Sequence, residues 1–130
     1  MTELAPGAEG VLERTVELEH TTRRGEYDIF STPQLVLLLE EAAIEALAPH
    51  LAEGQSSVGT KVEIAHTAAT LRGQKVRATA TVTEVDRRRV AFSITVVDDV
   101  EEIGTGTHER FVIDVPGFEE RLAAKADRVG

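Results

Sequence analysis

Three residues of this 130-residue chain are of a type that does not suit their surroundings: Glu40, His66 and Thr32. On a helical wheel Glu40 falls among Val36, Ala43, Ile44 and Leu47, away from the polar stripe of Gln34, Glu41 and Glu45. A carboxylate facing an apolar core is costly unless paired or protonated. Glu40 is therefore either the ion-pair partner of an arginine, from the sheet or a second subunit, or a group held for acid–base or nucleophilic work. His66 ends a strand pattern in which Val58, Thr60, Val62, Ile64 and His66 share one face, with Lys61 and Glu63 on the other. Alone it reads as a satisfied core histidine. With a glutamate aimed at the same helix–sheet seam, it reads as a partner in proton transfer. Thr32 stands at a helix start, where an N-cap threonine needs no catalytic explanation. A helix amino terminus also carries unpaired N–H groups and partial positive charge, which can hold a developing oxyanion.

Other chemistries find less support. There is no cysteine, which removes disulfides, thiolate catalysis and cysteine-based metal sites. His20, His50 and His108 lack metal-ligand spacing, so no metal is expected. Arg87, Arg88 and Arg89 read as a solvated turn, although they could meet a nucleotide phosphate. A formal net charge of −9 has the wrong sign for a phosphate-backbone binder, and the aromatic residues (Tyr27, Phe30, Phe92, Phe111, Phe118) are too few for base stacking. No nucleic acid partner is expected. The longest apolar run is Leu35–Leu39, too short to span a membrane, and MTELAPGAEG has no secretion signal, so a cytoplasmic location with no membrane partner is expected.

The positioning elements follow from changes of period. Residues 1–9 read as a flexible tail, and 10–130 as one domain. Val11–His20 carries a strand signal, and Thr21–Asp28 is a polar stretch. Ser31-Thr32-Pro33 opens a helix with Thr32 as N-cap and Pro33 at the first position, running to about Ala48 before Pro49 stops it. Glu53–Ser56 is read as a loop. Strands are expected at Ser57–Thr67, Lys75–Val85, Arg89–Val97 and Ile103–Val115, joined by short turns as antiparallel neighbours, with a terminal helix over Phe118–Ala126. A single long apolar helix needs the face of that sheet to cover it, so the class is α+β.

The segment around Thr32 and Glu40, the stretch Val58-Gly-Thr to His66-Thr-Ala-Ala-Thr70, and Ile103-Gly-Thr-Gly-Thr-His-Glu-Arg110 together resemble the fluoroacetyl-CoA thioesterase group of hotdog-fold proteins over about residues 30–115. The resemblance implies an antiparallel sheet wrapped around one long helix. It also implies a dimer or larger assembly, and hydrolysis of acyl-CoA thioesters without metal or cofactor, coenzyme A being part of the substrate. It places the catalytic set on Thr32, Glu40 and His66, and substrate-binding roles at the acyl end on Gly59 and Arg110. Since Thr32 and Glu40 are about 12 Å apart along one helix, a site using both is expected at the subunit interface of a homodimer. Arg110 falls on the strand face opposite Phe111 and Ile113, so its place in the pocket rests on the resemblance. The segment Arg23–Phe30 lacks the phenylalanine-containing lid region expected of the fluoroacetyl-specific enzyme, which leaves the acyl group open.

The expected function is hydrolysis of a short or medium acyl-CoA, with either Thr32 or Glu40 attacking first. A non-catalytic acyl-CoA or small-ligand binding module on the same fold is the alternative. Enoyl-CoA hydration ranks last, because the nearby aspartate, Asp28, has no flanking histidine.

Overall fold

The computed structural model describes residues 3–130. In chain order the elements are β1 (Glu9–Thr15), β2 (Thr21–Arg24), β3 (Tyr27–Phe30), α1 (Thr32–Leu47), β4 (Gln55–His66), β5 (Lys75–Asp86), β6 (Arg89–Val97), β7 (Glu102–Asp114) and α2 (Val115–Val129). Short 3-10 turns occupy Leu18–His20 and Ala48–His50. The antiparallel sheet has the order β1-β5-β6-β7-β4, and α1 lies across one face of it. This is the expected α+β arrangement.

The strand order differs from a simple meander. β5, β6 and β7 are consecutive neighbours, but β4 pairs with β7 and β1 takes the free edge of β5. The eight residues Thr67–Gln74 are long enough to carry the chain from one edge towards the other. The polar stretch before α1 is a hairpin, β2 with β3, turned by Gly25 at φ 59°. Its first strand, Thr-Thr-Arg-Arg, has no alternation to betray it. Before β1, Leu4 and Ala8 pack on the core and the Gly7 N–H donates to the Val82 carbonyl.

Leu35, Leu38, Leu39, Ala42, Ala43, Ala46 and Leu47 form the buried stripe of α1, three and four residues apart. It meets Val76, Ala78, Ala80 and Val82 of β5 and Val90, Phe92, Ile94 and Val96 of β6, which alternate on the inner face. Each large side chain so buried contributes about 1.5–3 kcal/mol. Gly10 of β1 lets the helix come close, because a Cβ there would run into the Ala42 carbonyl and the Ala46 amide.

Two expectations about faces need correction. The polar stripe of Gln34, Glu41 and Glu45 is not the whole uncovered face of α1: Leu37 and Ile44 are 47% and 44% exposed, and Glu41 is tied to Arg14 at 2.9 Å. The register of β4 shifts between Gly59 and Lys61, a bulge that inverts the parity of everything before it. Val62, Ile64 and His66 still share the helix side, whereas Val58 pairs with the outward Phe111 instead of joining them.

Candidate active site

α1 starts one residue earlier in its cap than expected. Ser31 is the N-cap, Thr32 is the first helical residue and Pro33 follows it. The Thr32 side chain is thereby spared a capping bond and reaches His66 at the end of β4, with Oγ1 2.8 Å from Nδ1. The register His66↔Gly104 fixes the end of β4, and the missing side chain of Gly104 leaves room for Leu35 in the next turn of α1. Burial pushes the His66 pKa below the ordinary histidine value, with the Ala68 backbone opposing in part. Its imidazole is thus neutral at neutral pH. The ring's Nε2 is buried and has no hydrogen-bond partner among the described residues. A cleft of about 390 Å³ opens here, walled by Thr22, Arg24 and Ile29 of the hairpin, by Thr32, and by Thr67 and Ala68. Polar groups that converge on a cleft at a helix amino terminus can bind and polarise a carbonyl oxygen.

Glu40 belongs to a second cluster. Its Oε2 accepts from Arg110 Nη1 at 3.3 Å, so the carboxylate is paired and one-third exposed, not sealed in an apolar seam. Arg110 is almost fully buried on the inner face of β7, and burial lowers its pKa while Glu40 opposes the shift. Its Nε donates to Ser57 Oγ at 2.8 Å and its Nη2 to the Ser57 carbonyl at 3.1 Å. Gly59, directly across from Arg110, lies beneath the carboxylate: a Cβ there would stand 2.5 Å from Glu40 Oε2.

The structure therefore brings Thr32 to His66, and Glu40 to Gly59 and Arg110, but does not unite the two groups within one chain. Eight residues of helix separate Thr32 from Glu40, about 12 Å along the axis. Ser57, His108 and the cleft residue Arg24 were missed from the sequence. His108 is two residues from Arg110 and so on its face of β7, but Phe111 and Ile113 suggested that the other face was the buried one. Among the described residues no group of three or more His, Asp or Glu side chains is placed to hold a metal ion.

Residues 12–116 match the family of fluoroacetyl-CoA-specific thioesterases. The chain belongs to this family. A fluoroacetyl-CoA thioesterase of Streptantibioticus cattleyicolor is 41% identical over 98 residues, spanning 75% of this chain and 70% of that protein. The crystal structure of a mutant fluoroacetyl-CoA-specific thioesterase superposes with a TM-score of 0.88 at 33% identity, covering 96% of this chain and 99% of that one. A thioesterase superfamily member from Thermus thermophilus superposes with a TM-score of 0.90 at 27% identity, covering 98% and 97%. As a member of the fluoroacetyl-CoA-specific thioesterase family, the chain is a thioester hydrolase with a hotdog fold. The binding-module and hydratase readings give way to hydrolysis.

Proposed function

We propose that the protein hydrolyses short or medium acyl-CoA thioesters to the free acid and CoA, at a site joining Thr32 and His66 of one subunit to Glu40 of the partner subunit. The observation that carries this is the 2.8 Å Thr32–His66 contact at a cleft that Glu40 of the same helix is about 12 Å from reaching. A structure of a related mutant thioesterase holds fluoroacetate and CoA; it superposes with a TM-score of 0.82 at 35% identity, which supports CoA thioesters as the substrate class. Two features support a second copy. Leu37 and Ile44 flank Glu40 uncovered, and β4, whose Gly59 lies under Glu40, has one unpaired edge. A two-fold axis there would generate two identical composite sites.

In this reading Glu40 takes a proton from water as the oxygen adds to the thioester carbonyl. The Thr32 hydroxyl, oriented by His66, and the amides at the start of α1 hold the oxyanion. Collapse expels the CoA thiolate, and the proton held by Glu40 neutralises it. In the covalent variant the Glu40 carboxylate adds directly, releasing thiolate and leaving a mixed anhydride that water then cleaves. Arg110 and Gly59 fix Glu40 at the acyl end, and no cofactor is invoked.

A panel of CoA thioesters assayed for free CoA tests the activity, and turnover with none of them overturns it. Mixing inactive Thr32→Ala with inactive Glu40→Gln under subunit exchange tests the composite site. Half the dimers then carry one intact site, returning about a quarter of wild-type activity. Confirmed exchange without recovery overturns the composite site.

A further inference from the structure

We propose that His108 is a positioning residue that locks the Arg110–Glu40 pair through a single neutral tautomer. The inference rests on the reading of Glu40 as the reacting carboxylate. His108 is fully buried on the inner face of β7, opposite Val62, and its ring stacks on Phe92 at a centroid distance of 5.9 Å. Its Nδ1 is 2.7 Å from the carbonyl of Lys61, at the β4 bulge. A carbonyl only accepts, so Nδ1 carries the proton. Its Nε2 is 3.2 Å from Arg110 Nη1. A guanidinium only donates, so Nε2 must present its lone pair. Both neighbours demand the same form, and protonation would set N–H against N–H beside an existing cation.

The consequence falls on Arg110 Nη1, whose two hydrogens go to His108 Nε2 and Glu40 Oε2. With Nε and Nη2 on Ser57, four of the five guanidinium hydrogens have protein acceptors. Three of those acceptors are neutral. A carboxylate in place of His108 would compete with Glu40 for the cation. The imidazole instead fixes the orientation of Arg110 and leaves its charge to Glu40. Glu40 is thus held by Oε2, while Oε1 makes no hydrogen bond among the described residues and faces the reaction free. Without the Nε2 lone pair, Nη1 would keep a buried hydrogen with no acceptor, and the guanidinium would turn to satisfy it.

Long-range proton–nitrogen NMR on the wild-type protein reads the tautomer directly, with His108→Gln providing the assignment. A pyrrole-like Nδ1 and pyridine-like Nε2 at neutral pH are expected; the reverse pattern or an imidazolium overturns the proposal. His108→Phe keeps the bulk and the stack on Phe92 but has no acceptor, so kcat should fall about ten- to hundredfold with KM nearly unchanged. His108→Gln restores an acceptor and should retain most of the activity. A folded His108→Phe protein with wild-type kcat overturns the positioning role. If the wild type hydrolyses no thioester, the carboxyl carbon resonance of Glu40 serves instead. It should move in His108→Phe and stay in His108→Gln, and an unmoved resonance in His108→Phe overturns the role.

Discussion

The hydroxyl of Thr32 and the ring of His66, one at the start of α1 and the other at the end of β4, share a hydrogen bond of 2.8 Å at the mouth of the cleft. Burial keeps the imidazole neutral, and in the tautomer with its proton on Nδ1 the ring donates to the threonine oxygen, which leaves the hydroxyl proton for a developing oxyanion. A serine would preserve that geometry; an alanine would not.

Thr32→Ala and His66→Ala should each lower kcat for CoA thioester hydrolysis by about 10²–10⁴, the range for acid–base participation. Thr32→Ser should keep most of the rate. Both alanine variants should retain near-native melting temperatures, since the contact lies at an open cleft. Wild-type rates in folded Thr32→Ala would remove the threonine from the reaction.

Gly59→Ala should damage activity more than stability. The new methyl would stand 2.5 Å from the end of the Glu40 side chain, which can swing aside, whereas no backbone atom is closer. The displaced carboxylate loses its register with Arg110, and kcat should fall about a hundredfold for a shift of about 1 Å. Circular dichroism melting with parallel kinetics separates the two effects. A large drop in melting temperature at unchanged kcat contradicts this account.

Stability should fall as the solution is acidified below about pH 6.5, the ordinary histidine value. Burial lowers the folded-state pKa of both His66 and His108; at His108 the cation of Arg110 adds to the shift, while the Lys61 carbonyl, Glu40 and Glu109 oppose it. Above the unfolded value neither state binds these protons. Below it the unfolded chain takes up protons that the folded rings refuse, so folding becomes less favourable until the folded pKa values are passed. Urea unfolding between pH 8 and pH 5 checks this, and His108→Gln should flatten the slope. A midpoint constant over that range would refute it.

Arg24 lines the cleft, donates to the Arg23 carbonyl, and has no carboxylate partner among the described residues. Nearby Arg23 and Arg72 are both tied to Asp28. Among the described residues lining this cleft Arg24 is the cation, and it is expected to meet the phosphates of a CoA thioester. Arg24→Glu should raise KM several-fold at low salt with little change in kcat, and the effect should shrink as ionic strength rises. A KM unaffected at low salt would assign the phosphates elsewhere.

Gly10→Ala tests the frame rather than the site. The added methyl would strike the backbone of α1 at Ala42 and Ala46, which cannot rotate away as a side chain can. A loss of about 1–3 kcal/mol is expected from such overpacking. Denaturant titration measures it, and a neutral result would contradict the close fit of β1 against α1.

The sequence by itself determined α1, the four long strands and the polar residues that do not fit their patterns. Apolar spacing located α1 and all four long strands within two residues, because helix and strand periods are local properties of the chain. The same periods singled out Glu40 and His66, and the helix start singled out Thr32. Tertiary structure decided which of these residues meet. A one-residue bulge at Gly59–Lys61 reverses the faces of β4, so alternation carried across it misplaces Val58 and Thr60. The β2–β3 hairpin is made of polar residues and owes its order to the elements around it: Phe30 is buried in the core, and Ile29 bridges to Leu71. The inner face of β7 carries His108 and Arg110 and the outer face Phe111, the reverse of what polarity suggests. Charge can lie inside there because Glu40, Ser57 and the Lys61 carbonyl arrive from other elements to satisfy it. Partners distant along the chain leave no periodic trace in it, and only the folded sheet and helix bring them within hydrogen-bond reach.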